Sequence, residues 1–253
     1  FNKIVIIFYL SFMFSIEYYV SNSGSIDNPG TFDAPFLKVQ QAADIMQAGD
    51  ICYIRQGVYY EQVLVNNQNG VSGSPIIFSN YQDERVVFDG TVIIDSTWVP
   101  YNENIWTTEI DFDIWQLFVD FEEMVMARWP NADFEDESIW DKENHWAHGL
   151  IDEDEFAYEN GTMIDNPHGD ISLESLNFDI TGATAILNVG SFKTYTREVL
   201  THNGNTFTYD PVDLWKTKHH DYFLEKKLEF LDREGEWFYD PDLSKVYFWP
   251  KDN

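Results

Sequence analysis

The sequence predicts an all-β chain that opens as a parallel β-coil behind one capping helix and continues into an inserted, antiparallel β-rich unit. Three observations predict it. Ile51–Ile54 and Ile76–Phe78 begin 25 residues apart, and Val63–Val65 and Val86–Phe88 begin 23 apart. Short strands recurring at nearly one period suggest successive turns of a coil, each stacking on the one before. Between Tyr18 and Gly49 a strand and a turn-rich loop lead into an amphipathic segment. Beyond residue 100 the spacing stops, and strand runs separated by turn residues take over.

The expected elements follow in order. Asp33 can cap a helix whose first turn holds Ala34, Pro35 and Phe36, where proline sacrifices no hydrogen bond. Phe36, Val39, Ala42/Ala43 and Ile45/Met46 then share one face, and Gly49 is the expected left-handed stop. Laid across the open end of a coil, such a helix would keep the apolar edge from pairing with other chains. From residue 100 the expected strands are Ile105–Thr108, Trp115–Val119, Met124–Arg128, Ala185–Val189, Thr194–Leu200, Thr206–Tyr209, Glu236–Tyr239 and Lys245–Trp249. The last two read as a hairpin through Asp240-Pro-Asp-Leu-Ser244. Ile171–Leu176 and Tyr222–Leu231 read as short helices or irregular segments. Residues 131–160 carry 11 acidic groups and one lysine and read as an exposed loop.

Residues 1–17 hold Lys3 followed by an apolar run too short for a spanning helix and suited to a secretory signal. The expected organisation is 1–17 signal-like, 18–100 cap and first coils, and 101–253 inserted unit leading back towards the coil. Export places the protein outside the cell, in the periplasm or on the cell surface. The single cysteine, Cys52, excludes an internal disulfide, and its place in an apolar strand marks a structural thiol.

Net charge is −29. Residues 1–100 hold 4 basic and 10 acidic groups (−6), and residues 101–253 hold 11 and 34 (−23). Such a field disfavours nucleic acid and anionic membranes, and no basic stripe offsets it. It also weakens the case for polyanionic substrates, although salt screens it beyond about 8–10 Å. Aromatic residues are 17% of the chain, nine of them Trp. That suits stacking on sugar rings, and it equally suits β propensity alone.

Three stretches carry a resemblance. Tyr18-Tyr-Val-Ser-Asn-Ser-Gly-Ser25, with Ala34-Pro-Phe-Leu-Lys-Val-Gln-Gln-Ala-Ala-Asp44 and Ala48-Gly-Asp-Ile-Cys-Tyr-Ile-Arg-Gln-Gly-Val-Tyr-Tyr-Glu61, resembles the cap and first coils of secreted right-handed parallel β-helix proteins of the pectate-lyase-like superfamily. Gln116–Asn131 and Tyr222–Pro250 resemble segments of glycoside hydrolase families 120 and 141. The resemblance implies a carbohydrate-active protein acting on a polysaccharide or oligosaccharide, with catalytic acids on later coils. On that reading the catalytic coils lie beyond residue 253, and the chain is the N-terminal part of an exported glycosidase. Where Phe121 stands the resemblance would place glycine; a turn of positive φ would be strained there, and the hairpin is expected to be rebuilt.

Glycosidases need two carboxylates across the scissile bond, and 44 acidic residues single out none. Asp89, before Gly90, is explained by a turn. The substrate-binding candidates are Arg128 and Trp129, which could offer a bidentate donor and a stacking face, and His145 with Trp146 as a second stacking pair. Packing alone would equally explain Trp129, and pairing with one of the many acids would explain Arg128. His145 and His148, with Asp141, could share a helical face and hold zinc, but a third ligand at suitable spacing is missing. Asp152–Glu155 lacks the pattern of a calcium loop. No cofactor is therefore expected, with structural calcium left open. A β-helix polysaccharide lyase and a non-catalytic carbohydrate-binding or adhesive surface protein remain as alternatives, because fold does not fix function.

Overall fold

The computed structural model describes residues 15–66, 68–150, 161–190, 193–213 and 217–251. The signal-like segment before Ser15 and the acidic run Asp152–Glu155 lie outside them. Contacts divide the chain into two compact units, 1–93 and 94–253.

The first unit contains strand β1 (Glu17–Ser25), helix α1 (Val39–Ala43) and strands β2 (Ile51–Ile54), β3 (Gly57–Tyr59), β4 (Ile77–Asn80) and β5 (Val86–Phe88). β1, β2 and β4 form one parallel sheet, and β3 and β5 form a second parallel pair. The register aligns Tyr18, Cys52 and Phe78 in one column and Val20, Ile54 and Asn80 in another. Val20, Cys52, Ile54 and Tyr59 are buried with Phe36, Val39, Ala42 and Met46. Burial raises the Cys52 thiol to about 12, which leaves it unreactive at neutral pH.

The two-fold periodicity requires correction. Val63–Val65 is not a strand; β5 pairs instead with Gly57–Tyr59, giving spacings of 26 residues between β2 and β4 (77 − 51) and 29 between β3 and β5 (86 − 57). The connecting loops differ in length, so hydrogen-bond register, not a constant period, aligns the strands. The helix is also shorter than expected. Phe36 is extended, bridging to Val20 and Ser25, so Asp33 does not cap. The Glu61 carboxylate caps from 22 residues away, accepting from Val39 N at 2.9 Å and Gln40 N at 3.2 Å. Gln41 Oε1 accepts from Leu37 N and Lys38 N. Gly30, at φ +79, lies under the Phe36 ring, where a Cβ would collide.

Phe78 sits in the buried column yet is 36% exposed, whereas Cys52 beside it is fully buried. Phe88, opposite buried Tyr59, is exposed as well. β4 and β5 each leave one edge unpaired among the described residues. An apolar, unpaired parallel edge recruits other strands. The chain is expected to show concentration-dependent light scattering that Phe78→Lys reduces; unchanged scattering in that variant would place self-association elsewhere.

The second unit contains β6 (Val99–Pro100), β7 (Trp106–Glu109), β8 (Leu117–Val119), β9 (Glu122–Met126), β10 (Arg128–Trp129), helix α2 (Lys142–His145), β11 (Ala147–His148), β12 (Thr162–Ile164), β13 (Thr184–Gly190), β14 (Lys193–Asn203), β15 (Thr206–Tyr209), β16 (Thr217–Glu225), β17 (Glu236–Asp240) and β18 (Lys245–Phe248). One sheet runs β10-β16-β13-β14-β15-β12, with β11 also on β16; the other runs β6-β7-β18-β17-β9-β8. Pairing is antiparallel throughout except β9 with β17. The expected β17–β18 hairpin is present, its turn held by Asp240 Oδ1 accepting from Asp242 N and Leu243 N. Leu187, Tyr222, Leu224, Phe207 and Met163 fill one core, and Trp237, Val246, Met124 and Leu117 fill another. β16, for which a helix or irregular segment was expected around Tyr222, is an interior strand of the larger sheet.

Candidate functional site

Two of the sequence candidates, Arg128 and Trp146, meet on one side chain, Phe223 of β16. β10 pairs with β16 so that Arg128 faces Glu225 and Trp129 faces Leu224. From there Arg128 lays its guanidinium over the Phe223 ring, with Cζ 3.8 Å from the centroid. Its Nε donates to Pro130 O at 2.9 Å and its Nη2 to His145 O at 3.4 Å. Trp146 meets the same ring edge-on at 4.6 Å. Arg128, Phe223 and Trp146 thus form one packed stack, with His145 joined through its carbonyl.

Arg128 is 2% exposed, so its charge is held inside the unit. Burial pulls its pKa down to about 10 against the opposing pull of Glu225 and Glu236. Trp129 is half-buried and tilts against Tyr222 at 6.3 Å. His145 ends α2, with Nδ1 3.3 Å from Asp141 Oδ2, while Asp141 caps that helix by accepting from Asn144 N. Both groups are partly exposed. Trp146 Nε1 is buried without a hydrogen-bond acceptor. Of the four candidates, His145 is the one that keeps a ring nitrogen in a partly exposed ion pair. The other three pack against β16.

The zinc geometry does not form. The chain leaves α2 at Trp146, which is extended (φ −116°, ψ 152°), so His145 lies on a helix and His148 on β11. Among the described residues no three His, Cys, Asp or Glu side chains converge as a metal would require. Asp89 serves its turn, with Oδ1 accepting from Thr91 N at 2.9 Å.

His148 instead joins a polar group that sequence spacing does not reveal. Its ring stacks on His168 at 3.8 Å and 8°. Its Nε2 lies 3.9 Å from Asp221 Oδ1, and Lys142 Nζ lies 3.6 Å from Asp221 Oδ2. Burial, then the neighbouring His148, pulls the His168 pKa down. Beneath them Asp165 accepts from Tyr222 Oη at 2.7 Å and Leu173 N at 2.8 Å. Burial raises the Asp165 pKa despite both bonds. The pairing of β11 with β16, which sets His148 opposite Asp221, assembles this group across 57 residues between Asp165 and Tyr222.

Another buried acid, Glu236, opens β17. It is 1% exposed, and its Oε1 has no partner. Oε2 accepts from Asp232 N at 3.3 Å. Burial, then repulsion from Asp232, raises its pKa to about 8. In the first unit, Tyr19, Tyr53, Tyr81 and Phe32 cluster with centroids 5.3–5.9 Å apart, and Arg55 lies over Phe32 and Tyr81 while pairing with Glu84. Their mostly edge-on packing turns these rings toward one another.

Comparison with known proteins supplies the class. Residues 18–116 match the family model of the Pel9A-like right-handed β-helix region, and residues 209–251 match the GH141 insertion domain. A solved structure described as "Glycoside hydrolase" superposes with a TM-score of 0.70 at 20% identity, over 94% of this chain and 43% of that one. At that identity the likeness is one of fold. The uncharacterized protein YwoF of Bacillus subtilis (strain 168) is 38% identical over 78 residues, 31% of this chain and 16% of the relative. The chain thus spans less than half the length of the relatives it matches. It is mostly β, with a right-handed β-helix region, a GH141-type insertion segment and a glycoside-hydrolase-like fold.

Proposed function

We propose that this protein belongs to an exported machinery of polysaccharide degradation, as part of a glycoside hydrolase. The observation that carries the reading is the pairing, in one chain, of a Pel9A-like β-helix region with a GH141 insertion domain. In this reading residues 18–100 supply the first stacked coils, α1 lies across their open end, and residues 101–253 form an insertion. The parallel pairing of β1 with β2 and of β2 with β4 supports the stacking. The apolar leader-like segment supports export.

The reading assigns the acid–base pair to residues other than those described. A glycosidic bond must reach both carboxyl groups, and the described carboxyls with raised proton affinity include Asp165 and Glu236, which are buried. Incubation of the 253-residue chain with a panel of plant and bacterial polysaccharides is expected to release no new reducing ends. Turnover abolished by substituting one described carboxylate would overturn that assignment. Among the described residues no helix is long and apolar enough to cross a membrane.

A further inference from the structure

We propose that the β8–β9 hairpin is a binding finger for a neutral glycan chain. This rests on the carbohydrate reading above and names the ligand class and the residues that meet it. The hairpin turns through Asp120 and Phe121, at φ +51° and +69°. Two positive φ values in a two-residue loop are what a type I′ turn requires. Asp tolerates that region, whereas a bulky side chain is strained there and glycine is not. The turn thus carries phenylalanine where its backbone favours glycine. An outlier of this kind points to use of the side chain.

Core packing does not use it. The base of the hairpin is fixed by Leu117 and Met124, buried and opposite in register, and by Trp237 Nε1 donating to Met124 O at 3.1 Å. Beyond that base Phe121 is 64% exposed and Phe118 40%, and Trp115, two residues before β8, is 85% exposed. Three exposed aromatic residues within seven positions, two on the hairpin and one just before it, gather apolar surface in one stretch of chain.

The surrounding charge selects the occupant. Residues 111–123 hold five carboxylates and no Lys or Arg. That field repels uronate chains and anionic membranes. Neutral sugars suit both features, since their C–H faces pack on aromatic rings and their hydroxyls donate to carboxylates.

The test uses the full chain in affinity gels and tryptophan fluorescence titrations. The probes are neutral arabinan, galactan and xylan, with polygalacturonate as the anionic comparison. The wild type is expected to bind at least one neutral polymer and to ignore polygalacturonate. Trp115→Ala is expected to bind about tenfold more weakly, one ring contact's worth. Phe121→Gly is expected to lose affinity as well while melting at a higher temperature, because glycine relieves the left-handed strain. That opposite movement of binding and stability is the signature of a functional ring. Unchanged affinity in both variants would overturn the finger and leave the carbohydrate reading standing. A lower melting temperature for Phe121→Gly would show a packed ring and overturn it too. A Phe121 that supports only self-association would overturn the finger alone, and a wild type that binds no neutral polymer would overturn it together with its carbohydrate premise.

Discussion

Glu236→Gln is expected to stabilise the protein at alkaline pH and to leave it unchanged at acid pH. The folded carboxyl takes its proton at about 8, against a usual value of 4.5 for an accessible glutamate. A group whose proton affinity rises on folding contributes fully below its unfolded pKa, and that contribution is lost as pH climbs through the folded value. The window is therefore from about 4.5 to about 8. The whole difference corresponds to roughly 5 kcal/mol as an upper bound. Removing the titration should make urea midpoints of the variant and wild type coincide at pH 4. At pH 9 the variant should be the more stable by a few kcal/mol. Equal midpoints at pH 9 would mean that the carboxylate is hydrated or paired when charged.

Arg128→Ala is expected to destabilise the second unit by about 3 kcal/mol, the loss that follows when a buried charge network loses one member. It would strip Pro130 O and His145 O of their donor, uncover the Phe223 ring and remove the positive charge that faces Glu225. Arg128→Met keeps a long apolar stem on Phe223 and should cost distinctly less. Chemical denaturation of the two variants separates packing from charge. If glycan affinity fell in Arg128→Met while stability held, the guanidinium would be a ligand contact after all.

Arg128 illustrates how far the sequence could be read. Its type and its neighbour Trp129 suit sugar recognition, and nothing local announces that β16 supplies an aromatic face for it. That strand was itself illegible as a strand. Its sequence, Thr-Lys-His-His-Asp-Tyr-Phe-Leu-Glu, opens with polar residues, and the helix-like run after it masks the alternation of His220, Tyr222 and Leu224 into the core. That alternation was the available signal. Strands bounded by clear turn chemistry, such as Thr206–Tyr209 and the β17–β18 hairpin, were legible because local propensity and tertiary pairing agree there.

The parallel strands of the first unit were legible in kind and not in register. Ile51–Ile54 is the strand expected, yet the partner of Val86–Phe88 is Gly57–Tyr59, a strand opened by glycine and too short to stand out. Phe36 misled in another way. Its helical spacing from Val39 is real and it is buried with it, but it reaches that core from an extended backbone. At Phe121 the sequence pointed to strain from a turn of positive φ; the left-handed φ is present on a bulky residue, which is what makes the residue informative.

Binding of the full chain to immobilised neutral polysaccharides tests the account most directly. Saturable retention by at least one neutral polymer, without release of reducing ends, is the predicted result. Passage of the chain unretarded through every polymer would contradict its assignment to carbohydrates.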